Sequence, residues 1–150
     1  MNTPRSAGKF EIEATASDNA VRSALSDIRA WLWSRDLPDS VCGDVEIAMA
    51  EVLNNVVEHA CADLPGARFT VTLTASDASL DVVVTDPGKP LPGLSLPPGE
   101  APDQNRPRAH LPVGGFGWFL IRRLTTSLSY KRTAKGNRLA LAFSLDSPSE

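Results

Sequence analysis

The sequence predicts a two-layer α/β (α+β) sandwich, a mixed but mostly antiparallel sheet with three helices on one face. Five short segments alternate apolar and polar residues with a period of two, the pattern of strands buried on one side. Three others repeat apolar residues every three or four positions, the pattern of helices with one buried stripe. Four of the strand segments fall in pairs across short polar turns, which implies antiparallel hairpins whose one apolar face the helices cover.

In chain order, Lys9-Phe10-Glu11-Ile12-Glu13-Ala14 alternates as the first strand. Ser17-Asp18-Asn19 then offers capping oxygens to a first helix, with Val21, Leu25, Ile28 and Leu32 on one face and an end near Asp36-Leu37-Pro38. Asp39 or Ser40 caps a second helix, whose broad apolar face runs from Val45 through Val52 and Val56 to Ala60 before Leu64-Pro65-Gly66 stops it. Phe69, Val71, Leu73 and Leu80, Val82, Val84 alternate on either side of the Ser76–Ser79 turn, a hairpin whose second strand ends on Asp86. Eight of the twelve prolines lie between Pro87 and Pro112, which excludes helix and central strand there. A segment of that length is either a lid or binding loop or a disordered linker. Phe116, Phe119, Leu120, Arg123 and Leu124 begin a short third helix, and Ser127–Lys131 with Leu139–Leu145 close the chain as a second hairpin.

At 150 residues the chain is the size of one domain, taken as residues 1–150. A net charge of −3 argues against direct nucleic-acid binding, which needs a surplus of Lys and Arg on one face. No stretch reaches the roughly 20 apolar residues that cross a bilayer, and Met1-Asn2-Thr3-Pro4-Arg5 is not followed by the apolar core of a signal peptide, so a cytoplasmic protein without membrane contact is expected. With Cys42 and Cys61 on one helix, about 1.5 Å per residue sets them nearly 30 Å apart, far past the roughly 7 Å reach of a disulfide. Both read as small buried hydrophobes.

The chemistry sits in three segments. On the second helix, Asp44, Glu51, Asn54, Asn55, Glu58 and His59 share an arc opposite the apolar face. Alone, this arc fits an ordinary solvated surface as well as a site. Asp86-Pro87-Gly88 fits a turn after a strand. It equally places a carboxylate to accept a hydrogen bond from the exocyclic amine of a base such as adenine, beside a glycine that admits close approach. Gly114-Gly115-Phe116-Gly117 fits a hinge, or a helix N-terminus whose unpaired N–H groups hold phosphate oxygens. It is neither a Walker loop, having no Lys-Ser or Lys-Thr after the glycines, nor a dinucleotide fingerprint, having a proline-rich loop rather than a strand before it.

In that order, Glu51-x-x-x-Asn55-x-x-x-His59, Asp86-x-Gly88 and Gly115-x-Gly117 followed by Phe119-Leu120-Ile121-Arg122-Arg123-Leu124 resemble the N, G1 and G2 boxes of the GHKL ATPase and kinase superfamily, with its Bergerat ATP-binding fold. Within it, the small size and short lid most resemble the bacterial anti-sigma factor serine kinases of partner-switching systems. The resemblance implies that Asn55 binds Mg²⁺, a hard cation that takes oxygen ligands, and that Glu51 is the general base for phosphoryl transfer. It implies that Asp86 recognises adenine, that Gly88 lies under the base, and that Gly115 and Gly117 hold phosphate at the end of an ATP lid spanning about residues 87–114. His59 receives no catalytic step. The chain departs from the pattern at Pro90, where a second glycine is common, at Trp118 in place of leucine, and at Thr126-Ser127 in place of an acidic residue.

The activity so implied is ATP- and Mg²⁺-dependent transfer to a serine or threonine of an anti-sigma factor antagonist, by a homodimer that in its other state binds a sigma factor. The alternative is a nucleotide-switched binding module with little transfer activity. Arg22, Arg29 and Arg35 read as a solvated edge, and Trp31 and Trp33 as either core or interface.

Overall fold

Alternation of side chains decides the sheet. The computed structural model describes residues 8–98 and 115–145. Five strands pair in the order β1-β2-β3-β5-β4: β1 (Gly8–Thr15), β2 (Arg68–Ala75), β3 (Ser79–Asp86), β4 (Ser127–Thr133) and β5 (Gly136–Ser144). Every ladder is antiparallel, where the sequence allowed a mixed sheet. Two helices connect β1 to β2, so the chain returns to the end it left. β4 runs parallel to β3, but β5 lies between them.

The registers stack inward residues into rows. Phe10, Leu73, Val82, Leu141 and Leu128 form one, and Ile12, Val71, Val84, Leu139 and Tyr130 the next. Against these rows pack α1 (Asp18–Ser34), α2 (Asp39–Asn55) and α3 (Gly115–Leu124), which bury Ile28 and Leu32, Val45 and Leu53, and Ile121 respectively. Leu53 is fully enclosed at 0 % exposure, so Leu53→Ala is expected to cost about 2–5 kcal/mol in urea unfolding, as deletion of a buried leucine leaves a cavity.

Ser17 caps α1 as expected, accepting from Ala20 N–H at 3.2 Å, and Asp36 closes it in the left-handed region at φ 57°. The cap of α2 differs. Neither Asp39 nor Ser40 occupies that position; Pro38 does, without a side-chain bond, and its fixed φ leads directly into the first turn. Asp39 instead sits in that turn, where its charge favours the helix dipole.

The far end of α2 also differs from the predicted uninterrupted helix. At Asn55 the coil widens into one π-helical turn, Val56–Ala60, closed by Cys61 N–H donating to Val56 O at 2.8 Å. Cys61 therefore lies just past the helix rather than on it, and both cysteines are free and buried as predicted. Exposed Arg29 pairs with half-buried Glu46, Trp31 stacks on Phe10 with ring centroids 5.7 Å apart, and Trp33 is exposed. Among the described residues, no helix is long and apolar enough to cross a membrane.

Candidate functional site

A cavity of about 490 Å³ opens between the C-terminal end of α2, the ends of β3 and β5, and the chain that follows β3. Asn55, His59 and Val52 line it from the helix, Asp86 and Asn137 from the sheet, and Trp118 from α3. The π turn places His59 and Ala60 on this wall together with Val56. Such single turns recur at functional sites because they re-aim side chains without breaking the helix.

The predicted polar arc of α2 does not face one way. Asn55 and His59 face the cavity, Asn54 and Glu58 face solvent, and Glu51 turns toward the first turn of α3. There a Cβ on Gly117 would lie 2.7 Å from Glu51 Oε2. A side chain there would make the flexible end of Glu51 move aside, and the carboxylate lies where a helix N-terminus favours negative charge. Glu51 and Asn55, four residues apart, thus occupy successive turns of the same helix. The Nδ2 of Asn55 is buried and has no hydrogen-bond partner among the described residues. A buried polar atom without a partner costs about 1–3 kcal/mol, so a ligand oxygen at that place would relieve it.

Asp86 is 8 % exposed at the end of β3. Its Oδ1 accepts from Gly88 N–H at 2.8 Å and from Asn137 Nδ2 at 3.0 Å, and the Cys61 thiol approaches it at 3.9 Å. No described donor reaches Oδ2. Burial first, then the Asp86 charge, pushes the Cys61 thiol up to about 11. It is a protonated donor at physiological pH and not a nucleophile. Because the folded value exceeds the ordinary 9.0, its contribution to stability is full below pH 9 and is lost as pH rises through about 11.

A model of the histidine kinase-like ATPase domain matches residues 14–143, spanning both the fold and this cavity. The chain belongs to that family. It is 33% identical over 82 residues to the serine-protein kinase RsbW of Bacillus mycoides (strain KBAB4), covering 54% of this chain and 51% of the relative. It is 30% identical over 89 residues to the serine-protein kinase RsbW of Halalkalibacterium halodurans, covering 59% and 54%. The chain thus spans about half the length of the curated relatives it matches. Among solved structures, the RsbU and RsbW domains of a Mycobacterium tuberculosis protein superpose with a TM-score of 0.66 at 21% identity, over 95% of this chain and 34% of that one. The mycobacterial sensor histidine kinase MprB superposes with a TM-score of 0.54 at 15% identity, over 91% and 97%. These likenesses carry the fold.

Around the cavity of this ATPase domain, a hydrogen-bond network centres on Asn137, which lies between the two strands of the second predicted hairpin. Its Nδ2 donates to Asp86 Oδ1 and to Lys89 O at 2.8 Å, and its Oδ1 accepts from the Tyr130 hydroxyl and from Arg132 Nη1 at 3.1 Å. Tyr130 in turn accepts from Leu91 N–H at 3.0 Å, and Arg132 donates to Gly88 O at 2.6 Å. Farther on, the Arg122 guanidinium grips Pro97 O through Nε and Nη2, at 3.0 and 2.7 Å. The first part of the proline-rich segment, residues 87–98, is therefore pinned to the sheet and α3. Residues 99–114 of the predicted lid, with Gly114, lie outside the described residues. A signal for Asn137 does exist in the sequence: it shares strand parity with Leu139, Leu141 and Phe143, a polar residue at the head of an inward apolar series.

Gly88 faces protein: a Cβ there would land on the Ala60 carbonyl, which also accepts from Lys89 N–H at 2.8 Å. Gly88→Ala is expected to push the strand end off the π turn and destabilise the fold by about 1–3 kcal/mol, measurable by thermal unfolding without nucleotide.

Proposed function

We propose that this chain is an ATP-dependent protein serine/threonine kinase of the partner-switching type, which phosphorylates an anti-sigma factor antagonist and in its other state binds a sigma factor, acting as a homodimer. The observation that carries the reading is the meeting of Asp86 and Asn55, whose Nδ2 is buried without a described partner, on one cavity, with Glu51 one helical turn away. The RsbW relatives, named as serine-protein kinases, support the choice of acceptor.

The donor set suits the ligand. Asp86 is read as the acceptor of a purine amine, and the carboxamide oxygen of Asn55 would suit Mg²⁺, which takes oxygen ligands and keeps phosphate and water as the others. When bound, the metal neutralises charge on the phosphates during transfer. Glu51 takes the proton from the incoming hydroxyl as its oxygen bonds to the terminal phosphorus and the bond to the leaving diphosphate breaks. Gly117, and Gly115 two residues before it, offer first-turn N–H groups of α3 to phosphate oxygens. Gly88 holds the strand end against Ala60 and so fixes the floor on which the base lies.

One observation favours a nucleotide-switched module with little transfer activity: Glu51 is outside the cavity wall and lies against the α3 N-terminus. Incubation with labelled ATP, Mg²⁺ and candidate antagonist proteins separates the two. Label on a serine or threonine is expected. ATP binding without transfer supports the switch, and no calorimetric heat at millimolar ATP overturns both readings.

A further inference from the structure

The sheet face turned away from the helices carries a second hollow, of about 280 Å³, at the β4–β5 turn. Three cations line it from separate elements: Arg68 at the start of β2, Arg138 in β5, and Lys135 in the turn between β4 and β5. Thr85 and Thr133 also line it, with Asp86 and Asn137, though the threonine hydroxyls are engaged, Thr85 with Thr70 and Thr133 with Gly136 O and Lys135 N–H. Arg68 is oriented from one side by Glu13 at 2.9 Å and Thr15 at 3.4 Å. Among the described residues, no carboxylate lies within ion-pair distance of Lys135 or Arg138.

The register adds an independent mark. Lys131 stands directly opposite Arg138 across the β4–β5 ladder, both exposed on this same face. Like charges facing each other across strands destabilise a sheet. In a chain of net charge −3, four cations gathered where Glu13 is paired to Arg68 and the other acid, Asp86, is bonded to Gly88 and Asn137 are a local excess of positive charge, relieved when an anion enters.

We propose that this hollow binds a phosphate-type oxyanion, either free or carried as a monoester on a protein side chain. The Arg138 fork, the part of the Arg68 guanidinium not bonded to Glu13 and Thr15, and one ammonium match a compact tetrahedral dianion, whereas an extended carboxylate chain needs a groove. The site is separate from the nucleotide cavity: Asp86 and Asn137 line both, but the Asp86 carboxylate bonds on the helix side.

Amide NMR titration of the full chain with inorganic phosphate, and separately with a phosphoserine peptide, tests it at constant ionic strength. Saturable shifts at Lys135, Gly136 and Arg138 are expected with at least one probe, and the arm that saturates names the source. The double variant K135Q/R138Q should weaken that binding at least about tenfold, while R138K alone weakens it less, with unfolding temperature and ATP affinity unchanged. Linear shifts into tens of millimolar, an equal response to acetate, shifts confined to Asn55 and Gly117 in the nucleotide cavity, or undiminished binding by the double variant would each overturn the site.

Discussion

Glu51→Gln is expected to leave ATP affinity within about twofold and to lower phosphoryl transfer by roughly 10²–10⁴, the range a positioned general base supplies. Glutamine preserves the length and shape of the side chain, so the close approach of Gly117 survives and only the proton acceptor is lost. The position of the carboxylate sets a competing expectation. If its whole role is to face the N-terminus of α3, the neutral side chain costs about 0.3–1 kcal/mol of stability and transfer is untouched. Calorimetry with ATP, an unfolding curve and a transfer assay on one preparation distinguish the outcomes. Unimpaired transfer by E51Q would remove Glu51 from the chemistry.

The parts of this molecule legible in its sequence are those governed by one local rule. Period-two alternation gave all five strands because each has one buried face, and the inward rows from Phe10 to Leu128 are that alternation seen across the sheet. Ser17 was legible as a cap because its oxygen serves an N–H three residues away. The π turn at Val56–Ala60 was not, because an extra residue in one helical turn leaves composition unchanged and is fixed by distant contacts, here the backbone of Gly88 and Lys89 on Ala60.

The same division runs through the site. Asn55 and Asp86 were singled out because their residue types and spacing matched a motif, and the fold brings them to one cavity. Asn137, Tyr130 and Arg132 were missed because their roles exist only across strands: each contacts a segment about 40 or more residues away in sequence, or a neighbour across the β4–β5 turn. Side-chain donors also explain how residues 87–98, with five prolines, are held, since the carbonyls of Gly88, Lys89 and Pro97 are met by Arg132, Asn137 and Arg122.

Asp86→Asn is expected to weaken ATP binding by about 10–100-fold, and the hydrogen-bond pattern around the carboxylate says in which direction selectivity moves. Gly88 N–H and the Asn137 amide both donate to Oδ1, so the single oxygen of an asparagine must stay there or leave two buried donors unmet. Its NH₂ then takes the place of Oδ2, the oxygen that the proposed reading turns to the base. Facing the exocyclic amine of adenine, that NH₂ sets donor against donor, and a buried unmet donor costs about 1–3 kcal/mol, at 1.4 kcal/mol per tenfold in affinity. A hypoxanthine nucleotide carries a carbonyl oxygen at the same position and accepts from the new NH₂. The ATP-to-ITP affinity ratio should therefore fall in the variant by more than either affinity changes through loss of fold, which an unfolding curve measured alongside would report. An unchanged ratio would mean that Asp86 holds Gly88 and Asn137 in place without touching the base.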